Sequence, residues 1–234
     1  MLAYILRKGF MKCVIQDHDE QGRVRKVSYT HRFTPDYRRH IEYDEDGNKI
    51  KQWRTKHGHM DGDCLEYYTK KDGSGRIKSA VSYKYDQKHG FSEEYYANGH
   101  LKSQVLYVFD KRSGHRKQYH SNGQLHLDCC YKADMPHGVS LEYDREGNCV
   151  QERMFYNGAL HGISIIYGDN GRKVAIEEYM HGEQVMVITF DANGNQNSHL
   201  RRSKEEYKRE GEEVLNTPIP YGIMNALFQR ELRD

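Results

Sequence analysis

The chain has 234 residues, with 36 Lys or Arg against 34 Asp or Glu, a formal net charge of +2 and 30% charged residues. With a mean hydropathy of −0.99, this composition excludes a membrane-spanning helix and argues against a nucleic-acid binder that works by bulk charge. The five cysteines, Cys13, Cys64, Cys129, Cys130 and Cys149, are odd in number and irregular in spacing, so no disulfide framework is expected.

At the N-terminus, Met1 to Leu6 is apolar but too short for an export signal, and Arg7 and Lys8 follow it instead of preceding it. A cytoplasmic location is expected. Residues 1–61 read as divergent repeats or a cap, with Gly22 and Gly47 loosely spaced. This end is basic: residues 1–41 hold nine Lys or Arg against four Asp or Glu, whereas residues 137–198 hold four against nine. Arg23, Arg25, Arg38 and Arg39 are therefore candidate contacts for an acidic partner, since such a field orients charged molecules during encounter.

Residues 62–198 are governed by a period of 24. Gly75, Gly99, Gly123, Gly147 and Gly171 recur at that spacing, and Asn98, Asn122 and Asn170 precede three of them. A second glycine series, Gly62, Gly90, Gly114, Gly138 and Gly162, is followed five residues later by Tyr67, Tyr95, Tyr119, Tyr143 and Tyr167. Tyr83, Tyr107, Tyr131, Phe155 and Tyr179 form a third column. A fixed period in this range marks a repeat architecture whose units bury apolar surface only against their neighbours. Alternation in Val139, Leu141, Tyr143 and in Ile163, Ile165, Tyr167 predicts strands, and Asn-Gly predicts tight hairpins in which both residues supply positive φ. A polar turn often ending in His-Gly is expected to close each unit. Tyr95, Tyr119, Tyr143 and Tyr167 are expected to stack as a structural ladder.

An insert at Lys70, Lys71, Asp72, Gly73 and Ser74 stretches one period, and with Arg76 it resembles an anion nest. After Asn197 the pattern changes. Ser203 and Glu206 have capping-box spacing, Pro218 and Pro220 interrupt, and Ile223, Met224, Leu227, Phe228 and Leu232 lie along one face of a final helix. Residues 199–234 are therefore expected to be a helical cap over the open sheet edge, or a tail that docks on a partner through Met224, Leu227 and Phe228. The expected fold is an elongated, single-layer antiparallel sheet of consecutive hairpins closed by C-terminal helices, about 70–80 Å long at two strands per unit.

No constellation for catalysis, metal or cofactor binding emerges. His89, His137, His161 and His181 each precede a glycine, and residues one period apart would lie roughly 10 Å apart, too far to share an ion. Cys129 and Cys130 point to opposite faces of a strand, as do Glu93 and Glu94.

Units such as Gly90-Phe-Ser-Glu-Glu-Tyr-Tyr-Ala-Asn-Gly-His-Leu-Lys102 and Gly114-His-Arg-Lys-Gln-Tyr-His-Ser-Asn-Gly-Gln-Leu125 resemble the MORN repeat in its bacterial variant form, close to G-x-x-x-x-Y-Y-x-N-G-x-L-K. The resemblance runs from about Gly62 to Gly194. It implies a twisted sheet of hairpins serving as an antitoxin-like binding scaffold, and it transfers no catalytic residue. The expected function is capture and neutralisation of a protein partner, a toxin or a bacterial or phage defence factor, by a monomer or small homo-oligomer. The alternative is a binder of a phosphorylated ligand or nucleic acid that uses the basic N-terminal repeats.

Overall fold

A computed structural model describes residues 11–31, 33–69 and 75–201. It divides into two compact units at Cys149 and Val150. The first holds β1 (Met11–His18), β2 (Val24–His31), β3 (Tyr37–Tyr43), β4 (Lys49–Lys56), β5 (His59–Met60), β6 (Gly62–Tyr67), β7 (Ile77–Lys84), β8 (Gln87–Tyr95), β9 (Leu101–Val108), β10 (Lys111–Tyr119), β11 (Leu125–Lys132) and β12 (Met135–Tyr143). The second holds β13 (Cys149–Tyr156) from its second residue, β14 (Ala159–Leu160), β15 (Gly162–Tyr167), β16 (Lys173–Met180), β17 (Glu183–Phe190) and β18 (Gln196–Arg201). Within each unit, chain neighbours pair antiparallel, as β8 with β9 and β16 with β17.

No helix occurs among the described residues, which corrects the expected helical cap as far as Arg201. The described residues are all-β, and β18 runs to Arg201, beyond the point at which helix was expected. The physical reason is visible in the register: Gln196 to Arg201 pair with Phe190 to Met186, so the hairpin programme continues past Asn197. Ser203, Glu206, Met224, Leu227 and Phe228 lie outside the described residues.

The two turn types of each repeat also differ from expectation. At Tyr96–His100, Gly99 N donates to Tyr96 O at 2.8 Å and Tyr96 N to His100 O at 2.9 Å, and Gly99 has φ of 92°. This is a three-residue hairpin loop ending in a glycine bulge, and only the glycine needs the left-handed conformation. Asn98 serves instead through its side chain: Oδ1 accepts from His100 N at 3.0 Å and Nδ2 donates to Ser121 O at 2.9 Å.

The other turn lies four residues before His89-Gly90, His137-Gly138 and His161-Gly162, and coincides with the predicted His-Gly at His181-Gly182. It consists of two consecutive residues with positive φ, at His57–Gly58, Tyr85–Asp86, Phe109–Asp110, Ala133–Asp134, Asn157–Gly158 and His181–Gly182. Glycines 90, 114 and 138 are strand bulges instead. Between β7 and β8, Tyr83 faces Lys88 and Val81 faces Ser92, so two extra residues sit around Gly90. At Gly90 a Cβ would meet Ser82 Cβ at 3.0 Å with φ at 110°, whereas at Gly114 and Gly138 there is room for one and the positive φ is what favours glycine.

Because two extra residues preserve alternation, each face keeps its own columns from β2 to β12. Glu93 pairs with Gln104 and Val105 with Arg116, which places Tyr95 and Tyr107 on opposite faces. A single layer leaves both faces wet, and burial is confined to a thin set of side chains: Val27, Ile41, Cys64, Cys129 and, in the second unit, Ile165 and Ala175. Small polar residues such as Ser28, Ser140 and Ser164 are buried as well.

Candidate functional site

The four N-terminal arginines do not form one patch. Arg23 is held in a turn, its Nε 2.7 Å from Asp19 Oδ2 and its Nη1 donating to Glu45 O at 3.3 Å. Arg25 and Arg39 lie on the Tyr95 face by alternation and register, where Arg39 Nη2 donates to Gln52 Oε1 at 2.7 Å. Arg25 Nη1 and Arg39 Nε are buried without hydrogen-bond partners among the described residues. Arg38 is on the opposite face, with Lys26, His40, Lys51 and Trp53.

On that opposite face a polar chain crosses three strands. His40 Nδ1 is 2.8 Å from Ser28 Oγ and Nε2 is 3.0 Å from Thr55 Oγ1, while its ring stacks on Trp53 at 4.9 Å. Burial, then the charges of Lys26 and Arg38, push the His40 pKa below its ordinary value. Lys26 Nζ lies 5.1 Å and Lys51 Nζ 6.0 Å from the Trp53 ring centroid, so one indole collects two cations. On the Tyr95 face a shallow depression of about 450 Å³ is lined by Gln16, Arg23, Val27, Tyr43 and Asp44 among others.

Arg76, expected in an anion nest, is a strap: its Nη1 donates to Asn98 O at 2.5 Å in the next repeat. Lys70 and Lys71 lie outside the described residues. The residue after the turn glycine repeats this device at Gly99 and Gly171, with His100 Nδ1 3.0 Å from Ser121 O and Arg172 Nη1 donating to Ala192 O at 3.0 Å. A second strap starts from the residue after the Tyr column. Tyr68 Oη donates to Tyr95 O, Tyr96 Oη to Tyr119 O, and His120 Nε2 lies 3.0 Å from Tyr143 O.

The Tyr column itself is half-buried on an open face. Tyr95 Oη donates to Glu93 Oε2 at 2.5 Å, and Tyr167 Oη to Glu152 Oε1 at 2.9 Å. The opposite column takes cations, with Lys88 5.0 Å from the Tyr107 centroid and Arg112 4.4 Å from that of Tyr131.

A polar track crosses the Tyr95 face at the middle of the first unit, where Glu93, Gln104, Lys117 and Asp128 stand opposite one another in successive strands. Gln104 Nε2 donates to Glu93 Oε1 at 2.7 Å, and His115 Nδ1 is 2.7 Å from Asp128 Oδ1. Cys130 Sγ lies 3.4 Å from Nε2 and 3.6 Å from Nδ1 of His115, nearly equidistant and so not in line with either nitrogen. Burial, then Asp128 and Cys129, push the Cys130 thiol up, which keeps it protonated and is the reverse of nucleophile activation. In the second unit the turns bring His161 and His181 to 5.1 Å between ring centroids, closer than the period alone implied. Among the described residues no three His, Cys, Asp or Glu side chains converge as metal ligands.

Residues 88–108 and 112–133 match the family described as MORN repeat variant. Two of this chain's repeats are of the MORN type. No curated protein matches the chain. A crystal structure of a porin-like protein from Bacteroides uniformis ATCC 8492 is similar at 10% identity over 82% of this chain and 95% of that chain, with a TM-score of 0.18, too low to carry an argument. Among the described residues no helix is long and apolar enough to cross a membrane.

MORN repeats are binding modules, and the geometry of this array separates what holds the repeats together from what they present. The straps from Tyr68, Tyr96 and His120, and the turn aspartates Asp86, Asp110 and Asp134, were not singled out by sequence reasoning. Their signal was present as two further columns at the same period, one of them the second aromatic of Tyr95-Tyr96.

Proposed function

We propose that this protein is a non-catalytic scaffold that captures and neutralises a protein partner, in the manner of an antitoxin or defence factor. The observation that carries this reading is the division of labour along the repeats. Turn side chains are spent on strapping each hairpin to the next through main-chain carbonyls, as in Tyr96 to Tyr119 and Arg76 to Asn98. Both sheet faces then project Tyr, Arg and Lys from a pre-organised frame, and these are side chains suited to interface energy at low ordering cost. Affinity capture from the native host, followed by reconstitution from purified components, tests the reading. The expected result is a stoichiometric complex that suppresses the captured protein's activity, and that forms more slowly with Arg25, Arg38 and Arg39 changed to Glu. Purified partners that fail to associate would overturn it.

A second reading, binding of phosphate groups or nucleic acid, is favoured by one feature: Trp53 flanked by Lys26 and Lys51. It requires oligonucleotide affinity that falls steeply with salt and is lost in Trp53→Ala.

A further inference from the structure

Turns with two consecutive positive-φ residues favour glycine, asparagine or aspartate at both positions. Asn157–Gly158 obeys the rule at both positions, and His57–Gly58 and His181–Gly182 have glycine second. Three consecutive turns of the first unit do not: Tyr85–Asp86, Phe109–Asp110 and Ala133–Asp134. The aspartates are explained inside the fold. Asp86 Oδ1 accepts from Met60 N at 2.5 Å, Asp110 Oδ1 from Lys88 N at 2.7 Å and Asp134 Oδ1 from Arg112 N at 2.9 Å, each bonding the neighbouring hairpin.

The first turn positions are not explained in this way. Tyr85 and Phe109 both have φ of 49°, a conformation that is costly for a bulky side chain. Their exposures are 53% and 51%. Phe109 leans on His89 at 4.7 Å, and Tyr85 makes no hydrogen bond or ring contact among the described residues. Backbone strain is thus accepted to hold two aromatic rings in solvent, with Met135 exposed at 44% on the next turn. Each turn adds one exposed lysine, Lys84, Lys111 or Lys132, while the aspartates are engaged as above.

We propose that this rim is the docking line for an acidic, extended segment of a protein partner. The proposal rests on the protein-capture reading and names where capture occurs. Successive turns are two strands apart, about 9.5 Å, which matches one turn of a polyproline-II segment, three residues at about 3.1 Å each, and returns every third side chain to the same side. A segment with an apolar side chain at every third residue and carboxylates between them sets the apolar groups beside Tyr85, Phe109 and Met135. Its charges then meet the three lysines. The second unit's turns, Asn157–Gly158 and His181–Gly182, carry no Tyr or Phe at the first position and no lysine beside the turn, and do not extend the line.

The test uses the full chain and fluorescein-labelled peptides of about 12 residues, enough to span three turns. One peptide has Leu at every third position with Glu between, and its control has Lys in place of Glu. A single-stranded oligonucleotide of equal charge to the acidic peptide is the third probe. Anisotropy should show salt-sensitive binding of the acidic peptide alone. In Tyr85→Asn/Phe109→Asn, which suits the turn, the melting temperature should hold or rise while affinity falls about tenfold or more. Lys84, Lys111 and Lys132 changed to Glu should abolish binding of the Glu peptide.

The proposal is overturned if the parent does not bind the acidic peptide, if it prefers the oligonucleotide, or if Tyr85→Asn/Phe109→Asn binds the acidic peptide as the parent does. A host partner captured equally by parent and Tyr85→Asn/Phe109→Asn would leave the scaffold reading standing and remove the rim. Absence of any host partner, with the peptide result intact, would do the opposite.

Discussion

The phenol of Tyr96 donates a 2.8 Å hydrogen bond to the main-chain carbonyl of Tyr119, 23 residues further along the chain. Tyr68 does the same to Tyr95 O at 2.8 Å. Changing Tyr96 to Phe keeps the ring and removes the donor, so a loss of about 1 kcal/mol is expected, as for a single partly exposed hydrogen bond. Tyr68→Phe/Tyr96→Phe should lose close to the sum, because the two straps join different pairs of repeats. Denaturant titration followed by circular dichroism measures both. Unchanged stability would assign the phenols to a surface role.

Tyr119 and Tyr143 are half-buried on an open face, not enclosed. Full enclosure would put truncation to Ala near 3 kcal/mol, and half-exposure lowers the expected cost to about 1.5 kcal/mol. Thermal melts of both variants check the figure. Parental melting combined with loss of partner capture would make the column an interface.

Asp110 combines a positive φ of 64° with a cap on Lys88 N. Asp110→Gly removes the cap and relieves the backbone, whereas Asp110→Ala removes the cap and keeps the strain. Ala should therefore be the more damaging by about 1 kcal/mol. If the two variants melt together, φ at this turn is not limiting.

Burial, then the hydrogen bond to Glu93, pushes the Tyr95 phenol up to about 12. The neutral phenol is thus the form the fold prefers. Its stabilising contribution is complete below the unfolded value of about 10, and is lost as pH rises from there through about 12. Spectrophotometric titration of the parent minus Tyr95→Phe should show this late ionisation, and Glu93→Gln should bring it earlier. A midpoint near 10 in the difference curve would contradict the burial and the bond.

Period, strand content and the turn glycines were legible because a repeat states its local chemistry several times. Gly99 and its counterparts announce a loop whatever surrounds them, since only glycine is at ease there. The tails of the pattern were less legible. Helical spacing after Asn197 predicted a cap, yet Gln196 to Arg201 form a strand, because pairing with β17 outweighs local propensity.

The candidate site was the least legible part. Arg23, Arg38, Arg39 and Arg76 are equivalent as charges in a sequence. Only pairing register separates a turn strap from a side chain on the Tyr95 face or on the face behind it, since a strand places neighbours on opposite sides. Likewise Tyr85 and Phe109 read as ordinary aromatics until the register put them in a turn that resists them. Local residue chemistry decided where the chain reverses and how often. Hydrogen bonds between residues more than twenty positions apart, which no local pattern encodes, decided which side chains hold the repeats together and which are left to meet a partner.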